Sequence, residues 1–320
     1  MKSKKKILWI HNFSNETGAG GVWMFNQYEY LKDEVDLYYL DGMRNPIRFL
    51  QHVLKLRKLS NQYELAHAQY GSANGFITSL MKCKRIVSLK GSDWYVSPGS
   101  SIFHLIRVKL GMLLSRISLP RFDHIIVMSD AMKEQVLEKF PNAIVDKVVD
   151  PIDLDRFKPL EKVSENDIKK VLFASVSIDN PIKRYALAKK SFDLLHKKMP
   201  NTELVKMSNI PHDQVNAFMN GVDVLILTSV YEGWPNVVKE MLACNKPFVS
   251  TNVSDLKAVA AKTNSCSVCD ETPEALSDGL FKALHADDED LRELVIPFSM
   301  EKSLNRIKEI YRKYIELSSD

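Results

Sequence analysis

Two doubly wound α/β domains, each on an open parallel sheet, are what the sequence predicts, and three observations carry that expectation. Its 320 residues exceed a comfortable single core and suit two domains of ordinary size. Short apolar runs alternate with longer segments of helical period, the pattern of βα units. That alternation occurs twice, on either side of a polar stretch.

In the first half the strand candidates are residues 6–10, 35–40, 65–68, 85–89 and 124–129. Helical stretches at 22–32 and 47–59 are long enough to cross over a sheet between them. In the second half, strands are expected at 170–176, 202–208, 223–229 and 247–252, with helices at 186–198, 211–219, 236–244 and 274–285. Pro151-Ile152-Asp153 and Phe157-Lys158-Pro159 open a polar stretch running to about Asp167, which reads as the linker. The last segment, 299–318, is amphipathic, with Leu304, Ile307, Ile310 and Tyr311 on one face. The expected divisions are 1–152, 153–298 and a closing segment, 299–320.

Hydrophobic residues make up 45% and charged residues 26% without a low-complexity tract, which excludes fibrous and disordered classes. The apolar run after Lys4, Lys5 and Lys6 ends at Ile10, too soon for a secretory signal. Arg107, Lys109 and Arg116 interrupt the most apolar later segment, so no stretch approaches the ~20 apolar residues of a membrane span, and a cytoplasmic protein is expected. Cys266 and Cys269 form a lone C-x-x-C without a second pair or nearby His. With Cys83 and Cys244 they read as buried thiols rather than a zinc, redox or disulfide site. Residues 1–150 carry 21 Lys/Arg against 14 Asp/Glu and the rest 23 against 26, so the basic excess belongs to the first half.

Open α/β sheets take ligands at the carboxyl ends of their strands, so the site is expected in a central cleft where the two sheets face each other. The most informative stretch runs from Asp223 to Thr251: an apolar strand, a loop from Ser229 to Pro235, and a helix that starts at Pro235-Asn236 and stops at Asn245 before Lys246-Pro247. The helix N-terminus offers N–H groups to phosphate, and Gly233 lets the backbone approach a ligand. Glu232 in the loop and Glu240 in the helix would repel phosphate, so they are expected to accept hydrogen bonds from sugar or ribose hydroxyls. Taken singly, each is as readily a helix cap or a solvated glutamate. After the strand at 171–176, Lys183 and Arg184 can neutralise a departing diphosphate, or are solvated basic residues before a helix.

In the first half, Gly18-Ala19-Gly20-Gly21 follows the first strand. Trp23 stands where the last Gly of a dinucleotide fingerprint would fall, so NAD is not indicated. Lys90-Gly91-Ser92-Asp93 follows the strand at 85–89, with Asp93 either an acceptor contact or a turn cap. His67 ends a strand, where a lone His is more often structural.

Together these strings resemble retaining glycosyltransferase family 4, the glycosyl transferases group 1, whose GT-B fold has two Rossmann-like domains. In that family E-G-x-P-N opens a helix and a second Glu stands eight positions after the first, as Glu232 to Asn236 and Glu240 do here. The resemblance implies that Glu232 contacts hydroxyls of the donor sugar and Glu240 the ribose. Gly233, Trp234, Pro235, Asn236 and Val237 would hold sugar and diphosphate. Lys183 matches the family's Lys, while its Gly-Arg pair is replaced near Ser175 and Val176, with Arg184 as the candidate substitute. Gly20 and Gly21 match a Gly-Gly turn near the donor phosphate. Lys90, Gly91, Ser92 and Asp93 resemble H-G-x-D on the acceptor side, with Lys90 for His, and His67 has a counterpart there. Residues 150–157 resemble N-G-V-D-x-x-x-F, with Asp150-Pro151 for Asn-Gly, and in this fold the last helix crosses back onto the first domain.

The resemblance therefore implies Glu232, Lys183 and Asp93 as catalytic candidates, no metal, and no cofactor beyond a UDP- or GDP-linked sugar as co-substrate. Its implied activity is retaining transfer to a glycan or lipid-linked acceptor in bacterial-type surface polysaccharide synthesis. The basic amphipathic stretches 44–58 and 102–121 suit an anionic membrane on the inner face of the plasma membrane, or are ordinary helices with a solvated basic face. Nucleic acid is not an expected partner. An epimerase or phosphorylase on the same fold is opposed by the glutamate pair. A non-catalytic GT-B subunit, binding a glycan or a partner enzyme, is favoured by the lost Gly-Arg and His and opposed by Glu232, Glu240 and Lys183.

Overall fold

The computed structural model describes residues 6–14, 21–95, 102–161, 168–208 and 210–315. The chain divides into two compact units: Met1–Pro151 with Glu301–Asp320, and Ile152–Met300. Gly18, Ala19 and Gly20, and the end of the linker after Glu161, lie outside the described residues.

Unit 1 runs β1 (Ile7–His11), α1 (Val22–Leu31), β2 (Val35–Tyr39), α2 (Pro46–Leu59), β3 (Leu65–Ala68), α3 (Ser72–Thr78), β4 (Lys84–Ser88), α4 (Ile102–Ser118), β5 (His124–Val127), α5 (Asp130–Lys139) and β6 (Val145–Lys147). Its six strands are all parallel, in the order β2-β1-β3-β4-β5-β6. β1, β3 and β5 are buried along their whole length, as central strands covered on both faces must be. Asn45 accepts from the N–H groups of Ile47 and Arg48 with Pro46 behind it, and Ser129 accepts from Met132, so side chains fix where α2 and α5 begin.

Unit 2 runs β7 (Lys169–Ala174), α6 (Tyr185–Lys198), β8 (Thr202–Met207), α7 (Val215–Asn220), β9 (Val224–Leu227), α8 (Asn236–Ala243), β10 (Phe248–Thr251), α9 (Leu256–Ala260), β11 (Ser267–Cys269) and α10 (Pro273–His285). Its parallel sheet has the order β11-β10-β9-β7-β8. Val171, Phe173, Val224, Ile226 and Val249 pack on Phe192, Leu195, Leu276 and Leu280 from α6 and α10.

The last helix, α11 (Met300–Arg312), falls with unit 1 from Glu301 on and buries Leu304, Ile307, Ile310 and Tyr311. The Trp9 indole donates to the Tyr311 hydroxyl at 2.8 Å, and that hydroxyl lies 2.6 Å from His67 Nδ1. No helix among the described residues is long and apolar enough to cross a membrane. The four thiols are free; burial pushes those of Cys244 and Cys266 up to about 12.

Candidate functional site

Three loops gather at the carboxyl ends of the unit 2 strands. Lys183 Nζ donates to Glu232 Oε1 at 2.5 Å, and Ser229 Oγ donates to the same oxygen at 2.6 Å. The Lys183 and Glu232 side chains are 24% and 16% exposed, so the pair is half-desolvated but reachable. Two of the side chains singled out in the sequence, 49 positions apart, therefore form one polar cluster. Ser229, which sequence reasoning missed, is the third member; its signal was a hydroxyl residue directly after an apolar strand.

Arg184 has another task than holding phosphate. Its guanidinium donates to the carbonyls of Thr228 (2.6 Å) and Ser229 (3.0 Å) and pairs with Glu271 at 2.5 Å, so it is committed to fastening the loops. The Thr228 hydroxyl returns a bond to the Lys183 carbonyl, and the Thr251 hydroxyl donates to Ser229. Arg184 adopts a left-handed backbone, φ 50°, as does Ser254, φ 53°, whose hydroxyl donates to the Gly233 carbonyl at 2.6 Å. Strain of this kind persists only where surrounding bonds hold it. Ser175 and Val176 stand where the family's Gly-Arg would be. Ser175 turns its hydroxyl onto the Ser177 carbonyl, and Val176 is 70% exposed, so neither brings a cation.

The start of α8 closes the cluster. Pro235 is the N-cap residue and gives no side-chain cap, no acid stands in the first turn, and the N–H groups of Asn236 and Val237 have no acceptor among the described residues. Such a terminus attracts anions. Trp234 packs: it is 7% exposed, 5.0 Å from the Phe298 ring, with the buried Lys239 ammonium over its indole at 5.6 Å. Glu240 keeps part of its surface open, yet protein surrounds it closely enough that burial pushes its pKa up to about 7, against the pull of Lys239 and Arg156. A cavity of about 170 Å³, lined by Lys169, Asp223, Asn245 and Lys246 among others, lies at the opposite, amino-terminal end of this sheet.

In unit 1, Gly21 adopts φ 80°, and a Cβ there would meet Phe13 at 2.5 Å. Gly91 adopts φ 123°. Both turns require glycine. Lys90 Nζ pairs with Asp150 at 2.5 Å and sits 4.0 Å over the Trp23 ring, while Gln27 donates to the same carboxylate oxygen at 3.2 Å. Lys90 stands where the family has His and Asp150 where it has Asn; the two departures meet in one ion pair.

Asp93 and His67 receive structural tasks. Asp93 is fully buried and accepts the N–H groups of Gly71 (2.7 Å), Lys90 (2.9 Å) and Gly91 (2.9 Å), which makes it the turn cap rather than a surface contact. Burial raises its pKa and these donors oppose the rise. His67 is 1% exposed, bonded to Tyr311, Ser88 and Gln69. Burial holds its pKa well below the usual value, and a neutral ring protonated on Nε2 satisfies all three partners. Ser92 is exposed, its hydroxyl 2.6 Å from that of Tyr70.

Residues 169–286, which hold the whole unit 2 cluster, match the family model described as glycosyl transferases group 1. The fold, and this match over unit 2, are those of glycosyltransferases of GT-B type. An uncharacterized glycosyltransferase of Methanocaldococcus jannaschii is 25% identical over 79% of this chain and 76% of that protein. Sucrose-phosphate synthase from Thermosynechococcus elongatus superposes with a TM-score of 0.72 at 13% identity, covering 97% of this chain and 98% of that one. An Anabaena protein, HepE, solved with UDP and glucose, gives 0.68 at 12% identity over 96% and 99%.

Proposed function

We propose that the chain is a retaining glycosyltransferase of family 4 that moves a sugar from a UDP- or GDP-linked donor to a glycan or lipid-linked acceptor, without a metal. The observation that carries this reading is the Lys183–Glu232–Ser229 cluster beside the uncapped start of α8. Lys183 uses one of its three donors on Glu232, which leaves two for phosphate oxygens. The free carboxylate oxygen of Glu232 accepts from sugar hydroxyls, Glu240 accepts from ribose, and the first N–H groups of α8 face the diphosphate. In the transfer, the bond from the sugar's anomeric carbon to the phosphate oxygen breaks and one to the acceptor oxygen forms on the same face. The acceptor's proton leaves with the diphosphate. The protein's part is positional and electrostatic. The UDP in the HepE structure supports a nucleotide diphosphate as the first ligand to try.

A thermal-shift screen of UDP, GDP, ADP and their sugar conjugates, with and without EDTA, tests the proposal. One nucleotide should stabilise the wild type, keep its effect in EDTA and lose it in Glu240→Ala. A folded protein indifferent to every nucleotide would instead support a non-catalytic binding subunit.

A further inference from the structure

Helices α2 and α4 both pack on α3, so they share one face of the unit 1 sheet. Each presents a stripe of large aliphatic side chains to solvent. On α2 it is Ile47, Leu50 and Leu54, 68%, 56% and 61% exposed; on α4 it is Ile102, Ile106, Leu110, Leu113 and Ile117, 45–66% exposed. Spacings of three and four place each set on one side of its helix, opposite the buried His52 and Leu56 of α2 and Met112, Ser115 and Ser118 of α4. These eight are half of the sixteen large hydrophobic side chains exposed among the described residues, gathered on two helices of one unit. A monomeric soluble protein rarely leaves so ordered an apolar surface open.

The charge around the stripes identifies what covers them. No Asp or Glu occurs from 42 to 63 or from 94 to 122, while Arg44, Arg48, Lys55, Arg57 and Lys58, and Arg107, Lys109, Arg116 and Arg121, are exposed there. A second copy of the chain would set these cations against their like. A nucleic acid would meet the cations but not the aliphatic stripes. An anionic bilayer satisfies both, since headgroups neutralise the cations and the interface takes the aliphatic side chains. We infer that the α2–α4 face docks on an anionic lipid bilayer, with Ile106, Leu110 and Leu113 entering the interface. Both helices follow strands of a parallel sheet, so their N-terminal ends lie toward the carboxyl edge, the edge that also carries the loop from Lys90 to Asp93. A membrane held there would leave that edge close to lipid-borne groups.

Vesicle sedimentation tests this without any nucleotide, so its failure and that of the donor reading are separable. Wild-type protein should sediment at least tenfold better with phosphatidylglycerol–phosphatidylcholine vesicles than with phosphatidylcholine alone, and less well as salt rises. Ile106→Ser/Leu110→Ser/Leu113→Ser changes only exposed side chains. It should lose at least tenfold in binding while keeping the wild-type melting temperature. Arg107→Glu/Lys109→Glu should lose the preference for anionic lipid. Equal or absent sedimentation with both vesicles overturns the inference. So does a dimer in vesicle-free ultracentrifugation that the serine variant dissolves, which would give the face to a second copy.

Discussion

Replacing Glu240 by glutamine removes a charge that the fold resists. In the folded chain, burial lifts this carboxyl from its ordinary 4.5 to about 7. Between those values the folded state holds a proton that the unfolded chain has released, so stability falls as pH rises through that window. At about 1.4 kcal/mol per pH unit, the full cost is roughly 3 kcal/mol above pH 7 and nothing below 4.5. Glutamine resembles the protonated acid and pays none of it. Urea denaturation of both proteins from pH 4.5 to 8 should find them alike at the acid end and Glu240→Gln more stable by roughly 3 kcal/mol at pH 8. A stability difference that stays constant from pH 5 to 8 would refute the reasoning, because it would mean that Glu240 is already ionised without cost. The proposed site gives a second arm: ribose hydroxyls donate to the ionised form, so the bound nucleotide should offset part of the cost in wild type and little in Glu240→Gln.

Asp93→Ala strands three N–H groups, two buried and one part-buried, and at about 1–3 kcal/mol each the loss should reach roughly 3 kcal/mol or more by urea titration; wild-type stability would return Asp93 to the acceptor surface. Removing either partner of the Lys90–Asp150 pair leaves a poorly hydrated charge, so Lys90→Met and Asp150→Asn should each destabilise strongly and the double variant less than their sum. Strictly additive losses would dissolve the pair as an energetic unit. With their thiols pushed up to about 12 by burial, Cys244 and Cys266 should label with a disulfide reagent at pH 8 only in urea, and rapid native labelling of Cys244 would contradict its placement.

Central strands were legible because burial on both faces leaves a run such as Ile7–Ile10 or Val224–Leu227 almost without polar residues. The edge strands β6 and β11 were not: three residues long and half-covered, they read Val-Asp-Lys and Ser-Val-Cys. Nor was α3, where Asn74 and Gly75 look like a loop. In the structure Asn74 Nδ2 donates to the Ile10 carbonyl, a bond that only the fold supplies. At the candidate site, Lys183 and Glu232 were singled out by their places in the loops after strands, and the fold brings the two together in one hydrogen bond. Arg184 was read as a candidate phosphate ligand, while Asp93 and His67 carried turn-cap and structural alternatives, and those are the tasks the fold gives them. What they bond to is largely backbone and distant side chains, and partners of that kind leave no trace in residue type.

The return of α11 fixes an order of assembly during synthesis. Unit 2 is continuous from Ile152 to Met300, so every part of its core is synthesised before the chain reaches Glu301. Unit 1 begins first and finishes last. Until Tyr311 emerges, the Trp9 indole lacks its acceptor, His67 Nδ1 lacks the hydroxyl beside it, and the surface later covered by Leu304, Ile307 and Ile310 stays open. For as long as residues 152–300 take to be made, the nascent N-terminal sheet is a natural client for chaperones. A chain released near residue 300 would carry a complete second unit joined to an incomplete first.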